Sequence, residues 1–77
     1  MNLAQSKKNI VYKVEDIKSD SELIKSRLFQ LGFTLGNTLI LKRKAPIFGD
    51  PLLFEIGVSQ IALTKEEASL IQVSEIK

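Results

Sequence analysis

At 77 residues the chain lies near the lower size limit at which one hydrophobic core holds a fold, so it reads as a single domain. Hydrophobic residues make up 44%, too many for a disordered chain, and the 11 basic and 9 acidic residues are interleaved around a net charge of +2, which argues against a surface built on bulk charge for nucleic acid or lipid. Cysteine and histidine are both absent, which excludes a disulfide framework, thiolate and imidazole metal ligands and the commonest general base.

Residues 1–9 are polar, include Lys7 and Lys8, and are expected to be loosely held, with Leu3 able to pack on the domain that occupies 10–77. From Ile10 the pattern alternates: Ile10, Tyr12 and Val14 fall on one side and Val11, Lys13 and Glu15 on the other, as in a half-buried strand. Ser19-Asp20-Ser21-Glu22 matches a capping box and predicts a helix start, followed by an apolar stripe of Leu23, Ile24, Leu28 and Leu31. Gly32 closes that helix in a left-handed conformation, and Phe33 is placed to fold back on Leu28 as the clasp of a Schellman motif.

Gly36-Asn37 turns the chain into a second strand over Thr38 to Lys44, with Leu39 and Leu41 inward and Ile40, Lys42 and Lys44 outward. Ala45 to Pro51 is a loop, because two prolines remove ladder donors and Gly49-Asp50 supplies turn chemistry. Leu52, Phe54 and Ile56 mark a third strand, and Gly57-Val58-Ser59-Gln60 turns it into a fourth at Ile61 to Leu63. Thr64-Lys65-Glu66-Glu67 is a second capping box heading a short helix, after which Ile71 and Val73 resume alternation. The order β-α-β-β-β-α-β is mainly β and lacks the crossovers of a parallel sheet, so the expected fold is a small, strongly bent, five-stranded antiparallel barrel.

Arg27-Leu28-Phe29-Gln30-Leu31-Gly32-Phe33, Gly36, Arg43-Lys44-Ala45-Pro46, Gly49-Asp50-Pro51, Ile61-Ala62-Leu63 and Ile71-Gln72-Val73 together resemble the FeoA family over about Ile10 to Val73. The resemblance implies an SH3-like barrel, a cytoplasmic location with recruitment to the inner face of the membrane through a partner, and an accessory role beside the ferrous-iron transporter FeoB. Against the family pattern, Leu35 stands where a proline is usual before Gly36, two residues rather than one separate Pro46 from Gly49, and Asn9 stands in for a glycine before the first strand. A similar domain ends certain iron-dependent transcription repressors, but this chain has no room for their other domains.

The Ala45 to Pro51 loop is the first choice for a partner surface, since apolar side chains on loops of a rigid scaffold are commonly binding elements. Pro46, Ile47, Phe48 and Asp50 belong to it. Two readings stand side by side: Ile47 and Phe48 touch a partner, or they fold over the barrel end as a lid. Asp50 is read mainly as a turn residue bonding its own backbone. Leu35 extends an apolar patch if the helix end adjoins that loop, and otherwise packs in the core. Lys42 and Lys44, with Arg43, form a basic outer side suited to anionic headgroups or an acidic partner face, or simply to water.

Neither a catalytic residue nor a cofactor or metal site is expected. Serine and threonine have no histidine to activate them, no phosphate-binding glycine loop is present, and Glu66 and Glu67, the nearest thing to a ligand pair, point about 100° apart on a helix. No apolar run approaches the roughly 20 residues of a membrane-crossing helix. The expected function is therefore a non-enzymatic adaptor that docks on the cytoplasmic part of a FeoB-like transporter, with self-association also allowed by the small size. The alternatives are a nucleic-acid-binding small barrel, disfavoured because most of Tyr12, Phe29, Phe33, Phe48 and Phe54 fall at packing positions, and a regulatory domain like that of the repressors.

Overall fold

The computed structural model describes all residues, 1–77. β1 (Val11–Ile17) buries Tyr12 and Val14 alternately, then carries a bulge between Val14 and Asp16 that leaves Glu15 and Asp16 both exposed and returns Ile17 to the core. Without the extra residue, Ile17 would face water.

α1 (Glu22–Leu31) starts two residues later than a capping box at Ser19 predicts. Ser21 is the cap, its hydroxyl accepting from the Ile24 amide at 3.2 Å, while the Ser19 hydroxyl accepts from the Ser21 amide at 3.1 Å. Glu22 does not reach back; its carboxylate lies 4.0 Å from the Lys25 ammonium. The far end matches the predicted Schellman motif. Gly32 has φ 112°, its amide donates to the Phe29 carbonyl, and the Phe33 amide donates to the Leu28 carbonyl, each at 3.0 Å. Leu28 and Phe33 are fully buried, whereas Leu23 and Ile24 of the expected stripe are exposed, so the helix is pinned by its last turn.

β2 (Thr38–Lys44), β3 (Leu52–Ile56), β4 (Ser59–Leu63), α2 (Lys65–Ser69) and β5 (Ile71–Glu75) follow. All pairings are antiparallel in the order β4-β3-β2-β1-β5. The five strands form the expected antiparallel sheet, whose hydrogen-bonded ladder is open between β4 and β5. α2 joins β4 to β5, headed by the predicted reciprocal box of Thr64 and Glu67, and touches both strands.

The core is one cluster in which Leu39 and Leu41 of β2, Leu52 and Phe54 of β3, Leu63 of β4, Ala68 of α2 and Ile71 and Val73 of β5 surround the Tyr12, Val14, Leu28 and Phe33 side chains. Phe33 meets Phe54 edge-on, with centroids 6.2 Å apart and planes at 89°. Residues 1–9, expected to be loose, are packed. Asn2 caps a 3₁₀ turn over Leu3–Gln5, Leu3 is fully buried, and the Met1 carbonyl accepts from the Val73 amide at 2.9 Å, which covers the free edge of β5. The Lys7 amide donates to the Tyr12 hydroxyl at 2.9 Å and the Asn9 amide to the Leu41 carbonyl at 3.0 Å, so a segment that its composition marks as polar is tied down along its length. Asn9 takes φ 66°, the left-handed conformation for which a glycine is usual.

Candidate functional site

The Ala45–Pro51 loop joins β2 to β3, and its base is closed by the Ala45 amide donating to the Pro51 carbonyl at 3.0 Å. Phe48 and Gly49 follow one another in the left-handed region, at φ 64° and 66°. Glycine accepts that conformation freely, but a bulky side chain does not, so Phe48 is held there by its surroundings. The restraint comes from α2. The Lys65 ammonium donates to the Phe48 carbonyl at 3.0 Å, and the Lys65 amide donates to the Asp50 carboxylate at 2.9 Å. Asp50 is thus not a residue bonding its own turn. It caps a helix 15 positions further on, where its negative charge also meets the positive end of the helix dipole.

Held this way, the loop presents its apolar side chains to water rather than to the domain: Ile47 is 69% exposed and Phe48 89%. They do not form a lid. Pro46 and Asp50 are exposed beside them. Leu35 is also exposed, at 60%, but it precedes β2 while the loop follows it, so the length of a seven-residue strand, roughly 20 Å, separates the two. Leu35 neither enters the core nor extends the loop's patch.

A bulge between Leu41 and Arg43 interrupts the β2–β3 register, and Lys42, Arg43 and Lys44 are all exposed. The four ion pairs of the molecule use other cations, namely Lys13, Lys18, Lys25 and Arg27, so these three have no carboxylate partner. Arg43 stands opposite Leu53, and Leu53 opposite Ala62. With Ala45, Pro46 and Pro51, this row lines a groove of about 390 Å³ on the outer face of the sheet, beside the loop. Sequence reasoning passed over Leu53 and Ala62. The available signal was a leucine out of phase with Leu52 and Phe54, an apolar side chain on a face that alternation assigns to water.

Three carboxylates are held by local contacts. Glu67 accepts from the Thr64 amide at 2.9 Å and pairs with the Arg27 guanidinium at 2.7 Å, and these contacts, the Thr64 amide foremost, hold its carboxyl below the usual glutamate range. The Ser74 hydroxyl on Glu15 and the Lys18 ammonium on Asp16 likewise lower those carboxyls. Histidine and cysteine being absent, no three acidic side chains converge as a metal cage would require.

Set beside known proteins, residues 1–75 match the family model described as the FeoA domain. The chain belongs to the FeoA domain family. The FeoA of Stenotrophomonas maltophilia, 30% identical, superposes with a TM-score of 0.83 over 96% of this chain and 89% of its own; it is described as complexed with zinc, as a procaryotic SH3 domain protein, and is put forward as a bacterial ferrous iron transport activating factor. Iron(II) transport protein A of Clostridium thermocellum, also 30% identical, superposes with a TM-score of 0.89 over 99% of this chain, which spans 46% of that chain's length. The manganese regulator SloR shares the fold at a TM-score of 0.81 and 20% identity, over 34% of its length. Comparison with curated sequences gives no match. The FeoA fold here is therefore mainly β and SH3-like, and none of its helices is long and apolar enough to cross a membrane.

Proposed function

We propose that this FeoA domain is a non-enzymatic accessory protein of ferrous-iron uptake, which docks through its Ala45–Pro51 loop on the cytoplasmic part of a FeoB-like transporter and modulates its assembly or activity. The observation that carries the reading is Phe48: an aromatic side chain 89% exposed, on a backbone at φ 64° that a phenylalanine adopts at a cost. It contributes almost no burial to the fold, and tethering by Lys65 keeps it presented. A side chain that costs stability where it stands is accounted for by a surface it meets elsewhere. Iron handling by the relatives points to which system that surface belongs to.

Quantitative binding of the cognate transporter's cytoplasmic domain to the wild type and to Phe48→Ala tests the reading. Saturable binding that weakens at least about tenfold in the variant, with an unchanged circular dichroism spectrum, is the expected result. Failure of the wild type to bind any cytoplasmic portion removes it. The nucleic-acid alternative has little to stack with: Tyr12, Phe33 and Phe54 are buried, leaving Phe29 and Phe48 far from a continuous aromatic track.

A further inference from the structure

We infer that the segment before β1 and the end of β2 together form a basic surface that binds an anionic lipid bilayer directly. Charges that are interleaved in the sequence are sorted by the fold. The ion pairs engage Lys13, Lys18, Lys25 and Arg27, all on β1, α1 or the turn between them. Lys7, Lys8, Lys42, Arg43 and Lys44 have no carboxylate partner, and all five are exposed. Tertiary pairing brings the two groups together: Lys8 stands opposite Leu41 in a parallel bridge, and the Asn9 amide donates to the Leu41 carbonyl at 3.0 Å. The backbone of Lys7 and Lys8 therefore runs one strand spacing, roughly 5 Å, from the residue that leads into Lys42, Arg43 and Lys44.

The carboxylates on the adjoining strands and loop are Glu55, opposite Ile40, Glu75, opposite Tyr12, and Asp50, which caps α2 beside Lys65. None of them pairs with the cluster, and positive charge stays in excess there. Asp16, Asp20 and Glu22 lie at or past the other end of β1, roughly 20 Å away, where their charge is largely screened at physiological salt. The composition of the cluster selects its occupant. Four of the five are lysines, compact charges on flexible stems, and Arg43 alone among them lines a groove. Recognition of one particular carboxylate or phosphate favours the planar fork of arginine in a shaped pocket, whereas a plane of anionic headgroups requires only that mobile charges come within a Debye length. A nucleic acid gains from stacking, but Tyr12, Phe33 and Phe54 are buried. The proposal rests on the adaptor reading only for a bilayer being at hand, since the cytoplasmic part of a transporter is held beside one: the cluster meets the headgroups while the Ala45–Pro51 loop meets the transporter.

Co-sedimentation with vesicles, in the absence of any transporter, tests the surface: one set is phosphatidylcholine alone, the other phosphatidylcholine with about 30% phosphatidylglycerol. The expected result is saturable binding to the anionic vesicles only, lost as salt rises from about 0.05 M to about 0.5 M. A cation near such a surface is worth about fivefold in affinity, so Lys8→Glu and Lys42→Glu, which each remove a positive charge and add a negative one, should each weaken binding about 30-fold, while Lys8→Arg binds as the wild type does. Both positions are exposed, and an unchanged circular dichroism spectrum checks that the variants are folded. No binding to the anionic vesicles, equal binding to both sets, or binding that ignores the two charge reversals overturns the proposal. So does vesicle binding abolished by Phe48→Ala, which would give the lipid contact to the loop, or tighter binding of a single-stranded DNA oligonucleotide than of the anionic vesicles at the same salt. The adaptor reading is separable, because binding of the transporter's soluble cytoplasmic domain without lipid should depend on Phe48 and not on Lys8. Failure of the vesicles alone leaves that reading in place and removes the lipid surface.

Discussion

The ammonium of Lys65 donates to the carbonyl of Phe48, 17 residues earlier, so the first residue of α2 fixes the tip of the β2–β3 loop. The same residue's amide is capped by Asp50, and the carbon that a side chain at Gly49 would add lies 3.6 Å from the Lys65 nitrogen. One lysine thereby couples the loop to the helix that joins β4 to β5.

Lys65→Met is expected to free the loop without unfolding the domain. An exposed hydrogen bond of this kind contributes about 1 kcal/mol or less, so the melting temperature should fall by only a few degrees. Backbone ¹⁵N relaxation should show lower order parameters at Ile47, Phe48 and Gly49 and unchanged values in β2 and β3. Unchanged loop order would show that the tether does not hold it.

Phe48→Gly should leave stability unchanged or raise it by up to about 1 kcal/mol, because glycine accepts the left-handed backbone and almost no burial is lost. Urea denaturation of the two proteins measures this directly. The same variant should lose partner binding, separating the stability cost of the side chain from its use.

Leu28→Ala should cost about 2–5 kcal/mol, since the side chain is fully buried. Total stability for a domain of this size is on the order of 4–12 kcal/mol, so a thermal melt shifted down by about 10 °C or more is expected. A shift of a degree or two would contradict the packing described.

Glu67 sets a pH dependence of known sign. Its carboxyl is lowered in the folded state by the Thr64 amide and by Arg27, so its contribution is fully present above the ordinary glutamate value near 4.3 and is lost as pH falls through the lower folded value. Urea midpoints from pH 7 to pH 3 should decline for the wild type, and Glu67→Gln should be less stable at neutral pH with a shallower acid decline. Parallel curves for the two proteins would mean that Glu67 is not a source of the dependence.

Much of the fold was legible in residue patterns because its determinants are local. Gly32 with Phe33, Thr64 with Glu67, and the alternation of Leu39 and Leu41 each act within a few residues, and each appears where predicted. The errors came where two local solutions compete, as with Ser19 and Ser21 for the helix cap, or where a distant partner decides. Leu3 is buried because β5 and α2 lie above it, and Asp50 caps α2 rather than its own turn because the fold brings Lys65 to it.

The candidate surface divides the same way. Prolines and glycine marked Ala45 to Pro51 as an exposed loop, and the alternation marked Lys42 and Lys44 as outward. That Ile47 and Phe48 face water, that Leu35 stands a strand's length away, and that Arg43, Leu53 and Ala62 line one groove depend on register and on the β2 bulge. The chain by itself determined its elements and their order, since these follow from local propensity and burial period, and its motifs carried the resemblance to the FeoA family that the family model bears out. Which edge stays open and which side chains share a face was decided only by tertiary pairing, because cross-strand neighbours are set by contacts between residues far apart in the sequence.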